Sequence, residues 1–175
     1  MSGRVALVLG GARSGKSVEA ERLVATWAAG EQVTYVATAL LDGDDPSLAE
    51  RVAAHRARRP SGWATVDAGS DLPGTLRATV GPVLLDSLGP WVAAAHPGSP
   101  ATAELVAALA ERDGDTVVVS DEVGLAVHPV SAAGRWFVDE LGALNQAVAA
   151  AADDVRLVVA GRVLVLPAPD DGAGT

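Results

Sequence analysis

Residues 10–17 read Gly-Gly-Ala-Arg-Ser-Gly-Lys-Ser: a glycine, four residues, a second glycine, then lysine and serine. In that spacing successive main-chain N–H groups of a glycine-rich turn face inward around phosphate oxygens, and the lysine ammonium reaches the outer phosphates. Lys16 is the only lysine in the chain, against twelve arginines. A compact, strongly hydrated ammonium and a planar guanidinium are not interchangeable. A composition otherwise without lysine therefore keeps one where a terminal phosphate has to be met. The pattern predicts a nucleoside triphosphate site. Gly10, Gly11, Ala12, Arg13, Ser14 and Gly15 would supply the cradle, Lys16 the charge, and Ser17 a hydroxyl for the accompanying Mg2+. The alternative is a chance match in an Ala- and Gly-rich chain. The flanks argue against it, because an apolar run at 5–9 precedes the loop and Ala20, Leu23, Val24 and Trp27 follow at helical spacing.

A second group of residues suggests a reaction as well as a ligand. Residues 51–60 read Arg-Val-Ala-Ala-His-Arg-Ala-Arg-Arg-Pro. On a helix Arg51, His55 and Arg58 fall within about 60° of one another, with Arg59 slightly further round. An imidazole among guanidinium groups suits attack on a phosphate ester: the arginines orient the phosphate, neutralise charge in the transition state, and favour the neutral, nucleophilic imidazole. Taken alone, a histidine on an arginine-rich helix is also what a solvated face looks like. Two acidic positions, Asp86 and the Asp-Glu pair at 121–122, each follow an apolar strand. Each is a candidate for the carboxylate that accompanies a phosphate loop, or simply for a turn or helix cap. Asp86 is the preferred site residue of the two.

The elements that must position these groups alternate along the chain. Strands are expected at 5–9, 33–37, 63–66, 83–86, 116–120, 155–159 and 163–166, and helices at 18–29, 46–59, 101–111 and 134–152. The last two strands are joined by Ala-Gly-Arg, a hairpin signal. Such alternation predicts an α/β fold of the phosphate-loop NTPase kind, a mostly parallel sheet flanked by helices with an antiparallel hairpin at its C-terminal edge. Residues 1–166 are expected to form one nucleotide-binding domain, and the Pro-, Asp- and Gly-rich tail at 167–175 to be disordered.

Composition narrows the function classes. With a net charge of −9 and a pI near 4.6 the chain lacks the basic face of a nucleic-acid binder. The absence of cysteine excludes disulfides, thiolate metal sites and cysteine nucleophiles. No apolar run approaches the length of a membrane span, and the N-terminus enters the first strand without a leader, so a cytoplasmic protein is expected.

The order of motifs narrows the reading further. The phosphate loop is followed by Tyr-Val-Ala-Thr-Ala at 35–39, the His-Arg segment at 51–60 and Trp-Ala-Thr-Val-Asp at 63–67. Then come Val-Leu-Leu-Asp-Ser-Leu at 83–88, Val-Ser-Asp-Glu-Val-Gly at 119–124 and Leu-Asn-Gln-Ala-Val-Ala-Ala-Ala-Ala-Asp at 144–153. This series resembles the bifunctional adenosylcobinamide kinase and adenosylcobinamide-phosphate guanylyltransferase family of cobalamin biosynthesis, over essentially the whole folded chain. The resemblance implies phosphorylation of adenosylcobinamide by ATP or GTP, followed by transfer of GMP from GTP through a GMP-histidine intermediate. It places that histidine at His55. It also implies nucleotide contacts from Ala37, Thr38 and Ala39, from Arg56, Ala57, Arg58 and Arg59, and from Asp67 and Asp86, in a phosphate-loop domain that assembles as a homotrimer. The chain departs from the family at Asp121, where Asn is usual, at Gly89 and Pro90, and at Ala126, His128 and 130–134. His96 and His128 are expected at the surface and Trp27, Trp63 and Trp136 in the core; Trp91 is expected to pack, the alternative being contact with a large ligand. The rival readings are a simpler small-metabolite kinase that uses only the loop, and a nucleotide-dependent regulatory protein. The second would be expected to carry a guanine-reading Asn-Lys-x-Asp motif if it bound GTP, and the lone lysine leaves no place for one.

Overall fold

The computed structural model describes residues 2–38, 60 and 62–169. The elements run β1 (Val5–Gly10), α1 (Lys16–Ala28), β2 (Thr34–Ala37), β3 (Ala64–Asp67), α2 (Leu72–Ala78), β4 (Val83–Asp86), α3 (Leu88–Ala94), α4 (Thr102–Glu111), β5 (Thr116–Asp121), α5 (Ala132–Ala151), β6 (Asp154–Val159) and β7 (Arg162–Leu166). The strands form one seven-stranded sheet in the order β3-β2-β4-β5-β1-β6-β7. Every pairing is parallel except the last, β6 with β7, which is the expected antiparallel edge.

The period of two along β1 divides the core. All six β1 residues are buried, but alternate ones face opposite layers. Val5, Leu7 and Leu9 pack with Leu72 and Leu76 of α2, Leu88, Trp91 and Val92 of α3, Leu105 and Leu109 of α4, and Leu141 and Leu144 of α5. Ala6 and Val8 pack with Ala20, Leu23, Val24 and Ala28 of α1 on the other face. Both faces are thus covered, which is why the central strands read as unbroken apolar runs.

Observed boundaries lie within a residue or two of those expected. The helix expected at 46–59 falls outside the described residues. Two helices were not expected, α2 and α3. Each has seven residues and carries Gly and Pro among Leu-Pro-Gly and Leu-Gly-Pro, residues that read as turns. Proline is tolerated because it stands in the first turn of each helix, where the N–H has no intrahelical partner. Asp71 caps α2 by accepting from Gly74 N, and Ser131 caps α5 by accepting from Gly134 N.

Of the tryptophans, Trp91 is buried, whereas Trp27, Trp63 and Trp136, expected in the core, are only partly buried and pack against its margins. The Arg4 guanidinium lies 4.3 Å from the centroid of the Trp27 ring. Trp136 meets the His96 ring edge-on at 4.7 Å. His96 and His128 are exposed, as expected. Among the described residues no helix is long and apolar enough to cross a membrane.

Candidate functional site

The loop at 10–17 leaves the carboxyl end of β1, an inner strand of the sheet next to central β5, on the side where ligands of parallel α/β sheets bind. Its shape follows from a few backbone constraints. Arg13 and Gly15 have positive φ values of 57° and 98°. Gly10 has no room for a side chain, because a Cβ there would lie 2.4 Å from Ser14 Oγ and 2.7 Å from the Val158 carbonyl. The turn is tied internally by Ser14 N donating to Gly11 O at 3.2 Å, and by Lys16 N donating to Ser14 Oγ at 3.3 Å. Gly161, in the β6–β7 turn, donates its N–H to Ser14 O at 2.8 Å and braces the loop from outside.

Lys16 opens α1, and its ammonium is held by two groups. Nζ lies 2.7 Å from Asp121 Oδ1 and donates to Gly11 O at 3.3 Å. Asp121 ends β5, directly beside Gly10 in the parallel register, and Glu122 N donates to Gly10 O at 3.1 Å. Because β5 stands between β1 and β4, Asp121 and not Asp86 is the carboxylate against the lysine. Sequence reasoning preferred Asp86, since strand order is not visible along the chain. Asp86 is buried at the end of β4 and accepts from the Tyr35 hydroxyl at 2.8 Å. It stands two strand spacings from β1, about 10 Å along the sheet.

The remaining expected site residues spread towards the far edge. Ala37 ends β2 beside Asp86 on one side and Asp67 on the other. Thr38 is buried, and its hydroxyl donates to the Ser87 carbonyl. Asp67 is exposed on β3, four strand spacings from the loop, about 19 Å. The structure thus groups residues 10–17 with Asp121, then Asp86, and sets Asp67 apart. Ala39, His55, Arg56, Ala57, Arg58 and Arg59 lie outside the described residues.

Four contributors carried no assignment in the sequence reading: Tyr35, Ser87, Asn145 and Gly161. Asn145 had a signal, because it interrupts the otherwise apolar buried stripe Leu141, Leu144 and Val148 of α5. Its Nδ2 donates to the Asp121 carbonyl at 3.0 Å. On the other side of the loop Glu19 of α1 is clamped by two guanidiniums. Arg22 donates to it at 2.8 and 2.9 Å, and Arg156 of β6 at 2.6 Å. The hydrogen bonds from Arg22 hold the Glu19 carboxyl below its ordinary range; burial works against them and Arg156 adds to them.

Among the described residues no group of three or more histidines and carboxylates forms a cage for a metal. The half-buried Ser17 hydroxyl and the neighbouring carboxylates are hard oxygen donors. They fit an ion such as Mg2+, which keeps most of its water and takes further oxygens from phosphates. A cleft of about 370 Å³ lined by Thr79, Gly81, Arg112 and Gly114 opens at the opposite, amino-terminal edge of the strands. Its guanidinium is occupied by main-chain carbonyls.

A glycine-bounded loop between an inner strand of a mostly parallel sheet and a helix, with a lysine at the helix start, defines an α/β protein of the phosphate-loop kind. The chain belongs to the cobinamide kinase / cobinamide phosphate guanyltransferase family, whose model matches residues 6–166. It is 41% identical over 175 residues to the bifunctional adenosylcobalamin biosynthesis protein CobP of Pseudomonas aeruginosa, covering 95% of this chain and 96% of that protein. It is 34% identical over 177 residues to the bifunctional adenosylcobalamin biosynthesis protein CobU of Escherichia coli, covering 89% and 95%. CobU of Salmonella typhimurium matches with the same identity and coverage.

Proposed function

We propose that this chain phosphorylates adenosylcobinamide with a nucleoside triphosphate and then transfers GMP from GTP to adenosylcobinamide phosphate. The observation that supports this most is the braced phosphate loop with Lys16 at its helix start, in a chain that matches the family over 6–166. Residues 10–15 cradle the phosphates of ATP or GTP through main-chain N–H groups, and Lys16 neutralises charge on the outer phosphates. Mg2+, bound at the Ser17 hydroxyl, would neutralise and orient the phosphate oxygens. In the first reaction the substrate hydroxyl oxygen bonds to the γ-phosphorus, the nucleoside diphosphate leaves, and the hydroxyl proton passes to a base.

In the second reaction the His55 imidazole bonds to the α-phosphorus of GTP and pyrophosphate leaves. A phosphate oxygen of adenosylcobinamide phosphate then displaces the imidazole and takes the GMP. Two easier displacements replace one hard one. Arg56, Ala57, Arg58 and Arg59, with Ala37, Thr38, Ala39, Asp67 and Asp86, contact the nucleotide in this scheme. The chain acts in the cytoplasm as a homotrimer of single domains spanning 1–166. The exposed apolar residues of β7, Val163, Leu164 and Val165, support an assembly.

The test is incubation with Mg2+ and GTP labelled at the α-phosphate, followed by denaturation. Acid-labile, alkali-stable label on the protein, lost in His55→Ala, is the expected result. Absence of label on protein that binds GTP would sink the guanylyl transfer and leave a small-metabolite kinase.

A further inference from the structure

The side chain that a phosphate chain needs most is already engaged. Lys16 Nζ sits 2.7 Å from Asp121 Oδ1, with its side chain 13% exposed and that of Asp121 38% exposed. A phosphate cradled by residues 11–17 must take this ammonium from Asp121, or share it. The main chain that carries the carboxylate is fixed beside the loop. It is held beside Gly10 by the β1–β5 register and by Glu122 N on Gly10 O. Its carbonyl is held by Asn145. On its outer side Oδ2 lies 3.2 Å from where a Cβ on Gly89 would stand, so the glycine leaves just the space the carboxylate fills. Asp121 and an incoming phosphate are therefore like charges competing for one cation at close range.

We propose that Asp121 is an internal competitor for Lys16, a specificity-determining residue that weakens the loop for phosphate chains carrying no bound cation. This rests on the reading of residues 10–17 as a phosphate site. A phosphate chain that arrives with a divalent cation brings compensation for the displaced carboxylate; a bare chain does not. An asparagine at this position would keep the shape and an oxygen acceptor for Lys16 while removing the charge.

The probes are inorganic tripolyphosphate and GTP, each titrated in a metal chelator against the full-length protein by calorimetry. Asp121→Asn is expected to bind both about two- to fivefold more tightly than the parent, the size expected when a partly exposed ion pair no longer competes. Unchanged or weaker binding overturns the proposal. So does an equal gain in Glu122→Gln, which would make the effect one of diffuse charge.

A second readout uses the chain's single lysine. Isotope-labelled lysine gives one side-chain amine signal by NMR. It should differ between the parent and Asp121→Asn, and tripolyphosphate should bring the two together. Identical signals before addition would overturn the competition. Neither readout needs turnover, so protein that binds tripolyphosphate but forms no GMP adduct would sink the reaction assignment and leave this one standing.

Discussion

Asn145 donates its side-chain N–H to the main-chain carbonyl of Asp121 at 3.0 Å. Helix α5 thereby holds the end of the strand whose carboxylate grips Lys16, from the sheet face opposite α1. Replacing Asn145 by alanine removes the donor and leaves a small void beside buried Leu141, Leu144 and Val148. Asn145→Ala is expected to unfold in urea with a loss of about 1–3 kcal/mol.

Gly10 is the tightest point of the loop. In Gly10→Ala the methyl group collides with Ser14 Oγ and the Val158 carbonyl, one of them main chain on a paired strand. The loop has to shift while β1 stays in place. Nucleotide affinity, read with a fluorescent GTP analogue, is expected to fall by at least about tenfold, with the far-UV circular dichroism spectrum kept.

Arg112 is a buried cation that makes no ion pair among the described residues. Its guanidinium donates to the carbonyls of Leu76, Thr79 and Gly81 and to the Thr116 hydroxyl, joining the end of α2 to the start of β5. Burial pulls its pKa down, and the hydrogen bonds keep the charge tolerable. Arg112→Met is expected to cost about 3 kcal/mol or more by denaturation, since three carbonyls lose their donor together. Arg112→Lys should recover only part of that, because one ammonium cannot span the same carbonyls.

The Glu19 clamp predicts an acid limb. Arg22 foremost, then Arg156, depress the folded-state pKa of Glu19 below its ordinary value of about 4.5. The folded protein therefore holds fewer protons at this group than the unfolded chain does as acid is added. The stabilisation is complete above about pH 4.5 and is lost as pH falls through the lower folded-state value. Thermal midpoints measured from pH 6 to pH 3 should fall less steeply in Glu19→Gln than in the parent.

The parts of the fold legible from sequence were those with a single consistent signal. Val5 to Leu9, Val83 to Leu85 and Val117 to Val119 are apolar without interruption because both faces of the sheet are covered. The helices α2 and α3 were not legible, being too short to show a period and opening on Gly and Pro that read as turns. The loop was legible from Lys16 and its glycines. Its partners were legible only in part: Asp121 stood as a candidate behind Asp86, and Gly161 carried no signal. Asp121 lies far along the chain, and only the insertion of β5 between β1 and β4 brings it to the lysine. Gly161 looked like an ordinary hairpin residue, yet its N–H braces Ser14.

That brace bears on the order in which the molecule is built. Strand β1 is synthesised first, but its neighbours on both sides are β5 and β6, from the second half of the chain. A ribosome adding about 5–20 residues per second finishes the lysine many seconds before it reaches Gly161. The loop motif thus emerges well before the strands and the turn that flank and brace it. A nascent chain cut short before the final hairpin carries every residue of the motif without the support that shapes it. The brace on Ser14 accordingly waits for the hairpin that carries Gly161.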